Sequence, residues 1–141
     1  MTGIAMAAVV QLSLLAGTES DYARAYKAHQ ESGRPLVVLV GADWCPGCRQ
    51  MHDSTIPQAE RTGMLEDVEF VYINTDRQRS LATKIMHGGS IPQLVMYHET
   101  EKGWQREQLT GAQPLSTIRS FVKRGVETAA KVRQASHSEE N

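Results

Sequence analysis

Several things are scarce in this sequence. Cysteine occurs only twice in 141 residues, which is too few for a disulfide-held scaffold. No apolar run reaches the roughly 18 residues that a membrane-crossing helix needs; the stretch 4–16 falls short. Neither sign of charge dominates. The 15 basic and 16 acidic side chains leave a net charge of −1, which excludes nucleic-acid binding by bulk basicity. Repeats, low-complexity segments and internal linkers are absent, so nothing divides the chain. With 40% apolar and 22% charged residues, the composition is that of one ordinary globular domain. A chain of this length buries roughly 70% of its unfolded surface, so it needs neither metal nor crosslink to hold a core. The expectation is a monomer that binds no nucleic acid and does not insert stably into membranes.

The ends differ from the middle. Residues 4–16 have the length of a secretory signal core. However, no Lys or Arg precedes them, and Ala16-Gly17-Thr18 is the nearest approach to a cleavage site. The alternation at residues 10–14 equally suits a first strand. Both readings of residues 1–17 stay open. The domain proper is expected over 18–133. Residues 134–141 are polar, without apolar periodicity, and read as a frayed tail.

Between these ends, strand and helix signals alternate. Thr18 or Ser20 can cap a helix running to 32, which Gly33 ends. Residues 36–40 are a continuous apolar, β-branched run, suited to a strand buried on both faces. A turn at 41–44 leads into a helix that begins at the cysteines and runs to about 54, limited by Pro57. A strand at 68–73, a short helix at 78–87 ended by Gly88 and Gly89, a strand at 94–97 and a hairpin partner at 104–109 follow. The last helix, 115–133, has a buried stripe of Leu115, Ile118, Phe121, Val122, Val126 and Ala129. This order predicts an α/β fold, a mixed central sheet flanked by helices on both faces.

The two cysteines stand as Cys45-Pro46-Gly47-Cys48, where the buried strand gives way to a helix. Pro46 suits the first helical position, because its missing N–H would have been unpaired there anyway. Cys45 then faces free backbone N–H groups and the positive end of the helix dipole. Both favour thiolate, so Cys45 is expected to ionise below the free value of about 8.5. Cys48, three residues on, lies on the same helix face and can attack a mixed disulfide formed on Cys45. A nucleophile and a resolving thiol suffice for thiol–disulfide exchange. Structural or inert cysteines are one competing reading. A zinc site with His52 is another, but it lacks a fourth ligand with sensible spacing. His29, His87, His98 and His137 are expected at the surface, the methionines in the core, and Trp104 half exposed on an edge hairpin.

Trp44-Cys45-Pro46-Gly47-Cys48-Arg49 after an apolar strand resembles the active-site segment of the thioredoxin family. Asn74-Thr75-Asp76 after the next strand, Ile91-Pro92 before the third, and Gly111 after the hairpin are similar to family features at corresponding places. Together the matches span roughly residues 18–130. The segment 21–51, with Gly33-Arg34-Pro35 leading into the strand, is more similar to exported thioredoxin-like proteins and to the C-terminal domain of thiol:disulfide interchange transmembrane proteins. The resemblance implies a thioredoxin fold and an oxidoreductase that acts on protein thiols and disulfides together with an upstream redox partner. It implies no organic cofactor and no metal, only the Cys45–Cys48 pair. It also implies that Trp44 shields the cysteines, that Pro92 is a cis-proline against the sulfurs, that Ile91 pairs with an extended substrate segment, and that Gly111 lines the groove. Pro46 and Gly47 would tune the pair, the family's usual Gly-Pro being reversed here. Thioredoxins also keep a buried Asp six residues before the first cysteine and a partner Lys on the next strand. Leu39 and Tyr72 stand at those places, and Asp43 is expected exposed on the loop. The reading is a reductant or electron relay, with a non-catalytic thioredoxin-like binding or chaperone module as the alternative. An exported location is favoured slightly over a cytoplasmic one.

Overall fold

The computed structural model describes residues 20–140; the apolar stretch 4–16, with its signal and strand readings, lies outside them. The first helix, α1 (Asp21–Ser32), starts where the sequence provides a cap: the Ser20 hydroxyl accepts the Ala23 N–H at 3.1 Å. It stops at Gly33, whose φ of +72° lets its N–H turn back to the His29 carbonyl. Strand β1 (Leu36–Gly41) is buried along its whole length. Two helical pieces, α2 (Pro46–Gln50) and α3 (Ile56–Arg61), are joined by a π turn at Met51–Thr55. Then come β2 (Glu69–Asn74), α4 (Arg79–Ile85), β3 (Gln93–Thr100), β4 (Gly103–Thr110) and α5 (Leu115–Glu139).

The four strands form one sheet in the order β2-β1-β3-β4. β1 runs parallel to β2 and antiparallel to β3, and β3 runs antiparallel to β4. The two-residue alternation of β1 sorts its side chains cleanly. Val37 and Leu39, with Leu94 and Met96 from β3, face Met51, Ile56, Ile118 and Phe121 from α5 and the helix that carries the cysteines. Leu36, Val38 and Val40, with Val71, Ile73 and Val95, face Ala25 of α1 and Ala82 and Ile85 of α4. The sheet is thus mixed and covered by helices on both faces, as the alternation of elements predicts.

Four expectations change. Pro57 does not end the helix. The wider π turn ahead of it, closed by the Ile56 N–H on the Met51 carbonyl, opens the backbone where the proline ring would otherwise clash. The last helix continues to Glu139 rather than fraying from 134. Residues 134–139 are exposed, so no apolar stripe marks them; each added residue gains a bond to a helix already nucleated by its buried turns. His29 and His98 are buried, at 4% and 5% exposure. Hydrogen bonding makes this tolerable: His29 Nδ1 meets the Arg34 carbonyl at 2.5 Å, and His98 Nε2 meets Glu107 at 2.9 Å. The hairpin strands also outrun the predicted 94–97 and 104–109. Trp104, 54% exposed, rests edge-on against His29. Among the described residues no helix is long and apolar enough to cross a membrane.

Phe121, 2% exposed, ties α5 to the sheet. Phe121→Ala is expected to cost about 3–5 kcal/mol, read as a fall in the urea midpoint with an unchanged slope. A cost below about 1 kcal/mol would mean that α5 is not seated there.

Candidate functional site

The end of β1 fixes the site. Gly41 is the last residue of the strand, and no side chain fits there. A Cβ would lie 2.9 Å from Cys48 Cβ and 3.0 Å from Cys48 Sγ. The loop that follows is tied to the end of β2. The Thr75 N–H donates to the Gly41 carbonyl at 2.8 Å, and Asn74 Nδ2 donates to Asp43 Oδ1 at 3.1 Å. Asn74 is itself held, since its Oδ1 accepts the N–H groups of Asp76 and Arg77. The Trp44 indole N–H donates to Asp76 at 3.0 Å, which positions a ring that is otherwise 66% exposed. The triplet Asn74-Thr75-Asp76 therefore acts as a brace for the turn that carries the cysteines.

Cys45 is the N-cap of α2, with extended backbone, and Pro46 occupies the first turn. The Cys48 N–H donates to Cys45 Sγ at 3.3 Å. The two thiols are free and lie together, Cys45 at 7% exposure and Cys48 at 1%. Cys45 Sγ is 3.9 Å from the Ile91 carbonyl oxygen. The Ile91–Pro92 peptide bond is cis. A Cβ on Gly47 would stand 3.4 Å from Pro92 Cδ and 3.5 Å from Ala112 Cβ, so the Pro92 ring faces the cysteine turn. The Pro92 carbonyl accepts the Gly111 N–H at 2.8 Å, and Gly111 has φ +87°, a region that favours glycine. Cys45, Cys48, Gly47, Ile91, Pro92 and Gly111 thus converge, with Trp44 at the rim. Between Trp44 and Ile91 lies a groove of about 290 Å³, lined also by Asp76, Arg79 and Met86.

A second cleft, of about 240 Å³, opens behind Cys48. Ala42, Asp43, Arg49, His52, Asp53 and Tyr72 line it. Leu39, fully buried, is the register partner of Tyr72, so the two residues that stand where the resemblance places an Asp and its partner Lys are neighbours. Asp43 is exposed, as expected, but it is bonded to Asn74 and Arg77. Burial pushes the Cys48 thiol from 9.0 up to about 11, and its hydrogen bond to Cys45 acts in the same direction. Tyr72 is raised above 10.0 as well, by burial and then by the charges of Asp43 and Cys48. Among the described residues no group of three or more His, Cys, Asp or Glu is arranged to hold a metal ion. Gly41 and Ala112, whose part is to be small, carry no signal in the sequence. Gly41 closes an apolar run, but nothing in a single sequence says what packs against it.

The sequence model of a thioredoxin-like family matches residues 18–98. No curated protein matches the chain. Among solved structures, thioredoxin of Fasciola hepatica is similar at 24% identity, TM-score 0.56, over 71% of this chain and 89% of its own. Thioredoxin of Trichomonas vaginalis is similar at 20%, TM-score 0.58, over 75% and 91%. A thioredoxin from Thermus thermophilus is similar at 21%, TM-score 0.60, over 73% and 82%.

The raised Cys48 value has a consequence for stability. Between about pH 9 and 11 the folded state keeps a proton that the unfolded chain has released, so folding becomes less favourable as pH rises through that window. Below it the contribution is intact. Tyr72 and Tyr22, also raised, act in the same direction. Urea melts of the reduced protein are expected to lose stability over this range, and Cys48→Ala to lose less. Equal slopes for the two proteins would contradict the burial argument.

Proposed function

The chain belongs to the thioredoxin-like family, and from that premise we propose that it is a thiol–disulfide oxidoreductase acting on protein substrates through Cys45 and Cys48. The observation that carries this reading is the paired arrangement of the thiols. Cys45 caps a helix and receives the Cys48 N–H, while Cys48 lies buried directly behind it. A donor at 3.3 Å serves a sulfur that bears negative charge.

The cycle needs no cofactor. The Cys45 thiolate attacks one sulfur of a substrate disulfide. A Cys45–substrate bond forms, the substrate S–S bond breaks, and the second substrate sulfur leaves as a thiolate that takes up a proton. Cys48 then attacks Cys45 Sγ. The Cys45–Cys48 bond forms, the mixed disulfide breaks, and the first substrate sulfur leaves. Two electrons pass to the substrate, and an upstream redox partner returns them. The role is that of a reductant or electron relay. An extended substrate segment would lie along Ile91 and Pro92 between Trp44 and Gly111, pairing with the strand-like backbone there. Gly47 leaves room for Pro92 to approach, and Pro46 fixes the start of the helix.

Two variants test this reading. Cys48→Ser should accumulate a mixed disulfide between Cys45 and a protein substrate, visible by mass and reversed by dithiothreitol. Cys45→Ser should lower disulfide reduction to the uncatalysed background. Full activity in Cys45→Ser would remove the exchange reading. A wild-type protein that binds clients without turnover would favour the binding-module alternative.

A further inference from the structure

Resolution of the mixed disulfide requires Cys48 to lose its proton, and the structure makes that hard. Burial pushes the Cys48 thiol well above the ordinary range, so it is held in its protonated form at pH 7. Leu39, which stands where the resemblance places a buried Asp, is fully buried and apolar and supplies no carboxylate. The cleft behind Cys48 is where an acceptor has to be found.

Its lining narrows the choice. Arg49 accepts no proton. Tyr72 is held in its phenol form by burial. Asp43 is engaged by both Arg77 and Asn74. That leaves His52 and Asp53, which meet each other: His52 Nδ1 lies 2.8 Å from Asp53 Oδ1. A carboxylate there fixes the hydrogen on Nδ1 and leaves Nε2 as the basic nitrogen. The imidazole also packs against Tyr72, with ring centroids 4.3 Å apart and planes tilted by 45°. The ring is thus oriented from two sides, by its neighbour on the π turn and by a residue of β2.

Resting on the exchange reading above, we infer that His52, oriented by Asp53 and Tyr72, accepts the proton of Cys48 across this cleft during resolution. The proton moves from Cys48 Sγ to His52 Nε2, directly or through one water. The Cys48 thiolate forms its bond to Cys45 Sγ, the bond from Cys45 to the substrate sulfur breaks, and the departing thiolate takes the proton back from the imidazolium. The step needs no further oxidant or reductant. The other charges around His52 are largely paired. Asp21 bonds Arg24 on α1, Glu69 on β2 faces Arg34, and Asp43 bonds Arg77. Arg49 donates to the Asp43 carbonyl. Asp53 is the charge in direct contact with the ring.

The test separates the two chemical steps. Reduced protein is mixed with dithiobis-nitrobenzoate, whose coloured thiolate is released once when Cys45 reacts and again when Cys48 displaces it from Cys45. His52→Gln should slow the second release about 100-fold at pH 7. The first release, which does not involve His52, serves as the internal control. The two proteins should converge as the pH approaches 11, where Cys48 ionises unaided. Free imidazole should restore the second release in His52→Ala. Second-release profiles that superimpose at every pH would overturn the inference. So would a pH-independent loss that imidazole does not rescue, since that marks a structural role. A wild-type protein with no second release would instead overturn the exchange reading itself.

Discussion

Everything at the site depends on how closely Cys48 packs against Gly41. β1 is buried on both faces and cannot move sideways. Its last residue has room for a hydrogen but not for a methyl group, because Cys48 fills the space a Cβ would take. That contact sets the start of the helix against the end of the strand, and so fixes Cys45 at the N-cap. It also buries Cys48. One packing constraint therefore separates two chemically identical side chains. One thiol lies at the mouth of the turn with a backbone donor at its sulfur, and the other lies in the apolar interior with its proton held tightly.

The surroundings complete the asymmetry. The loop after β2 braces the turn through the Thr75 backbone N–H, the Asn74 amide and the Asp76 carboxylate, and Arg77 pairs with Asp43 on the turn itself. From the other side, Pro92 and Ile91 close over Cys45 and Gly47. One cleft thus opens between Trp44 and Ile91, and another, lined by Cys48, His52 and Tyr72, opens behind the pair. The π turn matters to the second half, because it carries His52 and Asp53 and keeps the helix running through Pro57.

Much of this was legible in the sequence, for specific reasons. The unbroken β-branched run at 36–40 reads as a doubly buried strand because no polar residue interrupts it. Cys45-Pro46-Gly47-Cys48 reads as a helix start because Pro46 suits the first turn. The features that escaped are those set by tertiary contact. Residues 134–139 carry no stripe yet are helical. His29 and His98 are polar yet buried, because each finds a hydrogen-bond partner that spacing does not reveal. Proline in a helix interior usually breaks or kinks it, but the π turn ahead of Pro57 does not announce itself in composition. Gly41 is recognisable only once Cys48 stands opposite it.

The central claim is that Cys45 and Cys48 form one redox couple, and a titration of the pair in glutathione buffers, quenched by alkylation and read by mass, tests it most directly. The account predicts one two-electron transition in which both thiols become unreactive together, with a tenfold change in ratio for each roughly 30 mV. Thiols that stay alkylatable across the whole range, or that convert one at a time, would contradict it.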